Sequence, residues 1–226
     1  MIITIDGPAG AGKSTAAQVL AQRLDFDFLD TGAMYRVVTL AALRAGVALH
    51  DQDALARLMD ALRMEMPPGR VLLDGVDVSA DIRTEIVTKA TGAIADSPVV
   101  RRRLGEMQRA IAKGRRVVSE GRDQGTVVFP NAICKFFLSA AVEERARRRQ
   151  AEMAARGEAV ELAALLPMIE ARDRRDAARE LAPMVPATDA VVVDGTGLSL
   201  DQVVDRMEAE VLRRLPPCGL TRGSDT

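Results

Sequence analysis

The segment IDGPAGAGKST, beginning at Ile5, restricts the fold of this chain more than any other part of it. Gly7, four residues, then Gly12, Lys13 and Ser14 match the phosphate-binding loop pattern of glycine, any four, glycine, lysine, serine or threonine. Small residues let successive backbone N–H groups turn toward one concavity. The following helix adds the positive end of its dipole, and Lys13 adds a full charge. The context agrees, because Ile2, Ile3 and Ile5 read as a buried strand and STAAQVLAQRL as a helix. An ordinary glycine-rich turn needs neither the lysine nor the hydroxyl. Gly7, Pro8, Ala9, Gly10, Ala11, Gly12, Lys13, Ser14 and Thr15 are therefore the candidate cradle for a nucleoside triphosphate.

Downstream, FDFLD predicts a second strand ending at Asp30, then a turn at Thr31 and Gly32, then a helix carrying Val37, Val38, Leu40 and Leu43. RRVVSEG, AICKFFLS and AVVVDG predict three more strands, so strands alternate with helices as in a parallel α/β sheet. Between about Asp53 and Gly92 a short helix is followed by RVLLDGVDVS, whose Asp74-Gly75 pair signals a hairpin outside the main sheet. From Val142 to about Leu181 the chain reads as helical, arginine-rich and hinged, with interruptions near Gly157 and at Pro167. Ser199 and Gln202 form a capping box ahead of a stripe of Val203, Val204, Met207 and Val211, and the helix is expected to run to Leu215. This organisation assigns residues 1–52, 93–141 and 182–215 to a core, 53–92 to an insertion, 142–181 to an arginine-rich excursion and 216–226 to a disordered tail.

A phosphate loop leaves the second substrate open. Net charge is −1, so the chain has no overall basic field for nucleic acid and partners must be read from local clusters. No apolar run approaches the roughly 18 residues of a membrane span, and the N-terminus does not read as a signal peptide; no membrane partner and a cytoplasmic address are expected. Cys134 and Cys218 read as free thiols, and His50, the sole histidine, as a surface residue.

Three clusters carry the chemistry. In DTGAMYR, Asp30, Thr31, Tyr35 and Arg36 offer hydrogen bonds and a guanidinium fork that suits a phosphate. In EGRDQGT, Glu120, Arg122 and Asp123 follow a strand, where an acidic residue can orient a hydrated magnesium ion. In EARDRRDAAREL, Arg172, Asp176 and Arg179 share one face of a helix, with Arg175 beside it. Arg145, Arg147, Arg148 and Arg149 encircle a helix, so only some can face one ligand. Each cluster alone could be a solvated ion-pair network. Phosphoryl transfer shifts the balance, because its loose transition state is served by positioning and positive charge, with no need of histidine.

Taken together, IDGPAGAGKST, DTGAMYR, IRTEIV, EGRDQGTVVFP, ERARRR and RDRRDAAREL resemble the bacterial cytidylate kinase family, over about residues 1 to 215. The resemblance implies a P-loop nucleoside monophosphate kinase fold: a parallel core sheet flanked by helices, an enlarged NMP-binding insertion and a helical lid. It implies transfer from ATP, with Mg2+, to CMP or dCMP, and the working form expected is a monomer. Residue by residue, it places Lys13, Arg122 and Arg172 in catalysis and Ser14 at the metal, which Glu120, from its place after the strand, is expected to reach through water. It places Thr31, Arg36, Arg101, Arg122, Asp123, Asp176 and Arg179 at CMP, where Tyr35 of the DTGAMYR cluster is also expected, and Arg145, Arg148 and Arg149 in the lid. Two positions depart from the family pattern: Gly92 stands where a serine is common, which puts a base contact in doubt, and Pro167 should bend its helix. Independently of the resemblance, Asp123 could accept from the exocyclic amino group of cytosine, a donor that uracil lacks.

Other readings of the residues stay open. Another P-loop kinase acting on UMP, dTMP or shikimate would share the cradle. A GTP-dependent switch would be expected to carry an Asn-Lys-x-Asp guanine motif, which is absent, and an RNA-binding module would interleave aromatics, which make up just 3% of the chain.

Overall fold

The computed structural model describes residues 1–155 and 157–215. The tail expected to be disordered, 216–226, and Cys218 lie outside the described residues. In chain order the elements are β1 Ile2–Asp6, α1 Lys13–Leu24, β2 Asp27–Asp30, α2 Thr31–Arg44, α3 Gln52–Ala61, β3 Met64–Glu65, β4 Leu72–Leu73 and β5 Val76–Asp77. They continue with α4 Glu85–Asp96, α5 Pro98–Ala112, β6 Val117–Glu120, β7 Cys134–Ser139, α6 Val142–Ala154, α7 Leu162–Ala177, β8 Val191–Asp194 and α8 Leu200–Arg214. The chain divides into two compact units, one of Met1–Leu29 with the chain from Gly114 on, the other of Asp30–Lys113.

The first unit is built on a five-stranded sheet in the order β2-β6-β1-β7-β8, and the pairs β1/β6, β1/β7 and β7/β8 are parallel. Central strands of such a sheet are covered on both faces, which is why β1 is a near-continuous isoleucine run. Ile3 and Ile5 are both fully buried, each contributing about 1.5–3 kcal/mol relative to exposure. Ala16, Ala17, Leu20 and Leu24 of α1 and Val203, Val204, Met207 and Val211 of α8 join the same core, as the 3.6-residue period requires. The capping box of Ser199 and Gln202 is present in both directions. A satellite core in the arginine-rich region packs Leu165 and Ile169 of α7 against Ala146 of α6.

The second unit holds helices α2 to α5 and a separate antiparallel sheet in the order β3-β4-β5. The Asp74-Gly75 hairpin joins β4 to β5, with both turn residues at positive φ, as such a turn demands. Its core gathers Val37, Leu40, Val71, Leu73, Val78, Ile82 and Val87.

Several local expectations are corrected. No turn precedes α2: the helix starts at Thr31 because the Asp30 carboxylate accepts the backbone N–H of Ala33 and caps it directly. Strand β3 and helix α4 were not expected, the first because two residues carry no readable period. Pro167 does not interrupt α7, which runs on through it. Its packing residues Leu165 and Ile169 flank the proline and offset the lost main-chain hydrogen bond. His50 is exposed and Cys134 is a buried free thiol.

Candidate functional site

In the first unit the register places Ile5 of β1 beside Glu120 of β6 and Asp6 beside Phe137 of β7, so the loops leaving the carboxyl ends of these strands gather together. The chain turns sharply at Gly7, with φ of 141°, and a Cβ there would lie 2.0 Å from the Leu138 carbonyl oxygen. No other residue fits. Helix α1 then begins at Lys13 without a side-chain cap and without an acidic residue in its first turn. Its leading amides and dipole are left for an anion. Ser14 and Thr15 are exposed at this end.

Lys13 is buried, and its Nζ donates to the Pro8 carbonyl at 2.8 Å, curling the side chain back over the loop. Burial is the main reason its pKa falls to about 7; repulsion from Arg122 and Arg172 adds to the fall, while Glu120 and Asp6 oppose it. Lysine, two arginines and two carboxylates therefore act on one another around the cradle.

Asp6 was missed by the sequence reading. Its carboxylate accepts the backbone N–H of Gln124 at 2.8 Å and of Gly125 at 2.7 Å, pinning the loop that carries Arg122 and Asp123 to the end of β1. Burial pushes its pKa up to about 6, against the pull of those two hydrogen bonds. Ser119 donates to the Gln124 side chain at 2.8 Å and holds the same loop from β6. The only signal in the sequence was a carboxylate closing an apolar strand just before the loop glycine.

From the other direction, Arg122 donates through Nε to Asp176 at 3.1 Å, and Arg179 donates to the second oxygen of the same carboxylate. Arg172 approaches Asp176 to 4.0 Å. Burial works to raise the Asp176 pKa, but Arg122, Arg179 and Arg172 together hold it below the usual carboxylate range. Helix α7 ends at Ala177, so Arg179 sits past its end and does not share a helical face with Arg172; it reaches Asp176 because the chain turns there.

The four arginines of α6 are divided. Arg145 reaches the Ala9 carbonyl at 3.0 Å, and Arg148 the Ala11 carbonyl at 3.2 Å and the Gly195 carbonyl at 3.1 Å. Arg147 pairs with Glu144 and Arg149 with Glu152 along the helix itself.

In the second unit, Thr31 is buried at the start of α2. One turn on, Arg36 donates to the Ile82 carbonyl at 3.1 Å and to the Thr88 hydroxyl at 2.8 Å. The Arg101 guanidinium stands over the Tyr35 ring, 5.8 Å from its centre, and donates to the Ala95 carbonyl at 2.9 Å. Arg36 and Arg101 are thus held by α4 and its flanks, the same helix that carries Gly92, and Arg101 of α5 in turn covers Tyr35. Thr88 was missed because α4 itself was.

Among the described residues no cluster of three or more His, Cys, Asp or Glu side chains could cage a metal ion. The oxygen donors here, the Ser14 hydroxyl at the head of α1 and the buried Glu120 carboxylate at the end of β6, suit a hard cation that keeps most of its waters and is held largely by nucleotide phosphates. Among the described residues no helix is long and apolar enough to cross a membrane.

Comparison with known proteins points to one family. The family profile described as cytidylate kinase matches residues 3–213. A cytidylate kinase of Pelotomaculum thermopropionicum is 49% identical over 214 residues, covering 92% of this chain and 95% of that protein. One from Rhodopirellula baltica is 47% identical, covering 96% of this chain and 93% of the other. Among solved structures, an uncharacterized protein from Eubacterium ventriosum shares the fold with a TM-score of 0.54 at 12% identity, covering 95% of this chain and 99% of that one.

Proposed function

The chain belongs to the cytidylate kinase family, and on that premise we propose that it transfers the γ-phosphoryl group of ATP to CMP or dCMP, giving ADP and CDP or dCDP. It is a kinase, and phosphoryl transfer to CMP is the activity of its family. The observation that carries the finer reading is the electrostatic grouping of Lys13 with Arg122 and Arg172 at an uncapped helix start.

In this reading the main-chain amides of residues 7–15 hold the donor's phosphates and Lys13 leaves Pro8 to follow the charge as it moves to the acceptor. Arg122 and Arg172 supply positive charge where the transferred group spreads its own, which is the form of catalysis this reaction rewards. Magnesium, held by Ser14 with the nucleotide and by Glu120 through water, would neutralise phosphate charge. The acceptor phosphate attacks the γ-phosphorus in line.

We assign acceptor binding to Thr31, Tyr35, Arg36, Arg101, Arg122, Asp123, Asp176 and Arg179. Residues 53–92 serve as the acceptor-binding insertion and 142–181 as a lid. Closing the lid excludes water, the competing acceptor. A coupled assay of ADP production from ATP and Mg2+ with CMP, dCMP, UMP, dTMP and AMP tests the reading. Turnover is expected with CMP and dCMP above the others; turnover of UMP or dTMP at equal efficiency would reassign the acceptor.

A further inference from the structure

We infer that Arg145 and Asp173 form a positioning pair that holds the phosphate loop in register with α7, so that the arginine-bearing end of that helix faces the bound donor. The inference rests on the kinase reading above and adds to it two residues that do not themselves touch the nucleotide.

Arg145 lies in the first turn of α6 and is 7% exposed. Its Nε donates to the Ala140 carbonyl at 2.9 Å, and its Nη1 donates both to the Ala9 carbonyl at 3.0 Å and to Asp173. One guanidinium thereby spans the end of β7, the middle of the phosphate loop and α7. The approach of α6 to the loop is close: a Cβ on Gly10 would stand 3.2 Å from both the Cβ and the carbonyl oxygen of Arg145. With Nε on one carbonyl and Nη1 shared between a loop carbonyl and Asp173, this guanidinium is spent on bracing the loop.

Asp173 depends on the pair just as strongly. Its Oδ2 is held by Arg145, and its Oδ1 is buried with no hydrogen-bond partner. A carboxylate in that position is stable only beside its counter-charge. Leu165, Ile169, Asp173 and Asp176 follow one another at three- and four-residue steps and so share one face of α7. That face packs through its apolar residues at one end, and through carboxylates at the other, Asp173 to Arg145 and Asp176 to Arg122. Arg172 precedes Asp173 directly, so the pair also sets where Arg172 stands relative to Lys13.

The competing role for Arg145 is direct contact with the donor phosphates. The two roles differ at Asp173, because freeing Arg145 from its carboxylate would leave a direct phosphate ligand intact. Calorimetric ATP affinity, and kcat and KM with ATP and CMP, are measured for Asp173→Asn, Arg145→Lys, Arg145→Ala and the double variant Arg145→Ala/Asp173→Asn, each checked for folding by thermal melting. A displaced loop predicts that every single variant weakens ATP binding and lowers kcat by roughly tenfold or more, with KM for CMP changed less than about twofold. The double variant loses no more than the worse single one, since both break the same contact. ATP affinity and kcat within about threefold of wild type in Asp173→Asn, or losses that multiply in the double variant, would overturn the pair. Should Arg145→Ala not fold, the near-isosteric Asp173→Asn decides by the same thresholds. ATP affinity does not depend on the acceptor, so a wild-type protein inactive on CMP would defeat the kinase reading while leaving this test standing.

Discussion

Asp6 and Gly125 stand 119 positions apart in the chain, yet the carboxylate of one accepts the amide of the other at 2.7 Å. The contact leaves no room at Gly125, where a Cβ would lie 2.8 Å from the Thr4 hydroxyl and 3.3 Å from Asp6 itself. The start of the phosphate loop and the loop bearing Arg122 and Asp123 are thereby tied together through one side chain.

Gly125→Ala should therefore act on both loops. Overpacking against the Thr4 hydroxyl and the anchored Asp6 carboxylate is expected to cost about 1–3 kcal/mol of stability and to weaken acceptor use along with it. Denaturant unfolding and the KM for CMP check this; an unchanged midpoint would show that the loop yields freely.

Lys13→Ala and Arg172→Ala should each lower turnover by about 10² or more, the scale of a lost transition-state charge contact. Steady-state kinetics at saturating ATP and CMP measure it, and near-native rates in either variant would remove that residue from the reaction.

Lys13 also predicts a proton signature. With its pKa lowered from 10.5 to about 7, the folded chain between those values has released a proton that the unfolded chain keeps. Stability from this group therefore rises with pH across that window, and the burial cost is fully present below pH 7. A bound polyphosphate restores the ammonium, so ATP binding at pH 8 should take up about one more proton in the wild type than in Lys13→Met. Calorimetry in buffers of different ionisation enthalpy reads this difference; equal uptake by the two proteins would be contrary to it.

Asp176→Ala leaves Arg122 and Arg179 without the carboxylate they share. Breaking a buried ionic group by removing one partner is expected to cost about 3–5 kcal/mol, with a marked loss of kcat/KM for CMP. Thermal melting at pH 7 and acceptor titration check the two effects separately; a variant as stable as wild type would mean that solvent replaces the carboxylate.

Asp123→Ala should narrow the preference for CMP over UMP, because a buried acceptor penalises a base that lacks the amino donor. Parallel changes in turnover of the two nucleotides would assign discrimination elsewhere.

Legibility along the chain followed the range of the interactions. The five core strands, the Asp74-Gly75 hairpin and the Ser199 cap were readable because apolar period, turn chemistry and capping act within a few residues. Arg147 and Arg149 could be separated from Arg145 and Arg148 only in the fold, since four arginines on one helix look alike until the phosphate loop is beside them. Helix α4 went unread, and with it Thr88 as the partner that fixes Arg36.

The sequence by itself determined the phosphate loop, the alternation that makes a parallel sheet and the supply of guanidinium groups, because each is encoded by neighbouring residues. Only the tertiary structure decided which polar and charged groups meet. Asp6 reaches Gln124 across 118 positions and Arg145 reaches Ala9 across 136. Such contacts arise when parallel strands bring distant loops to one sheet edge, and low local dielectric then makes every pairing there strong enough to shape the site.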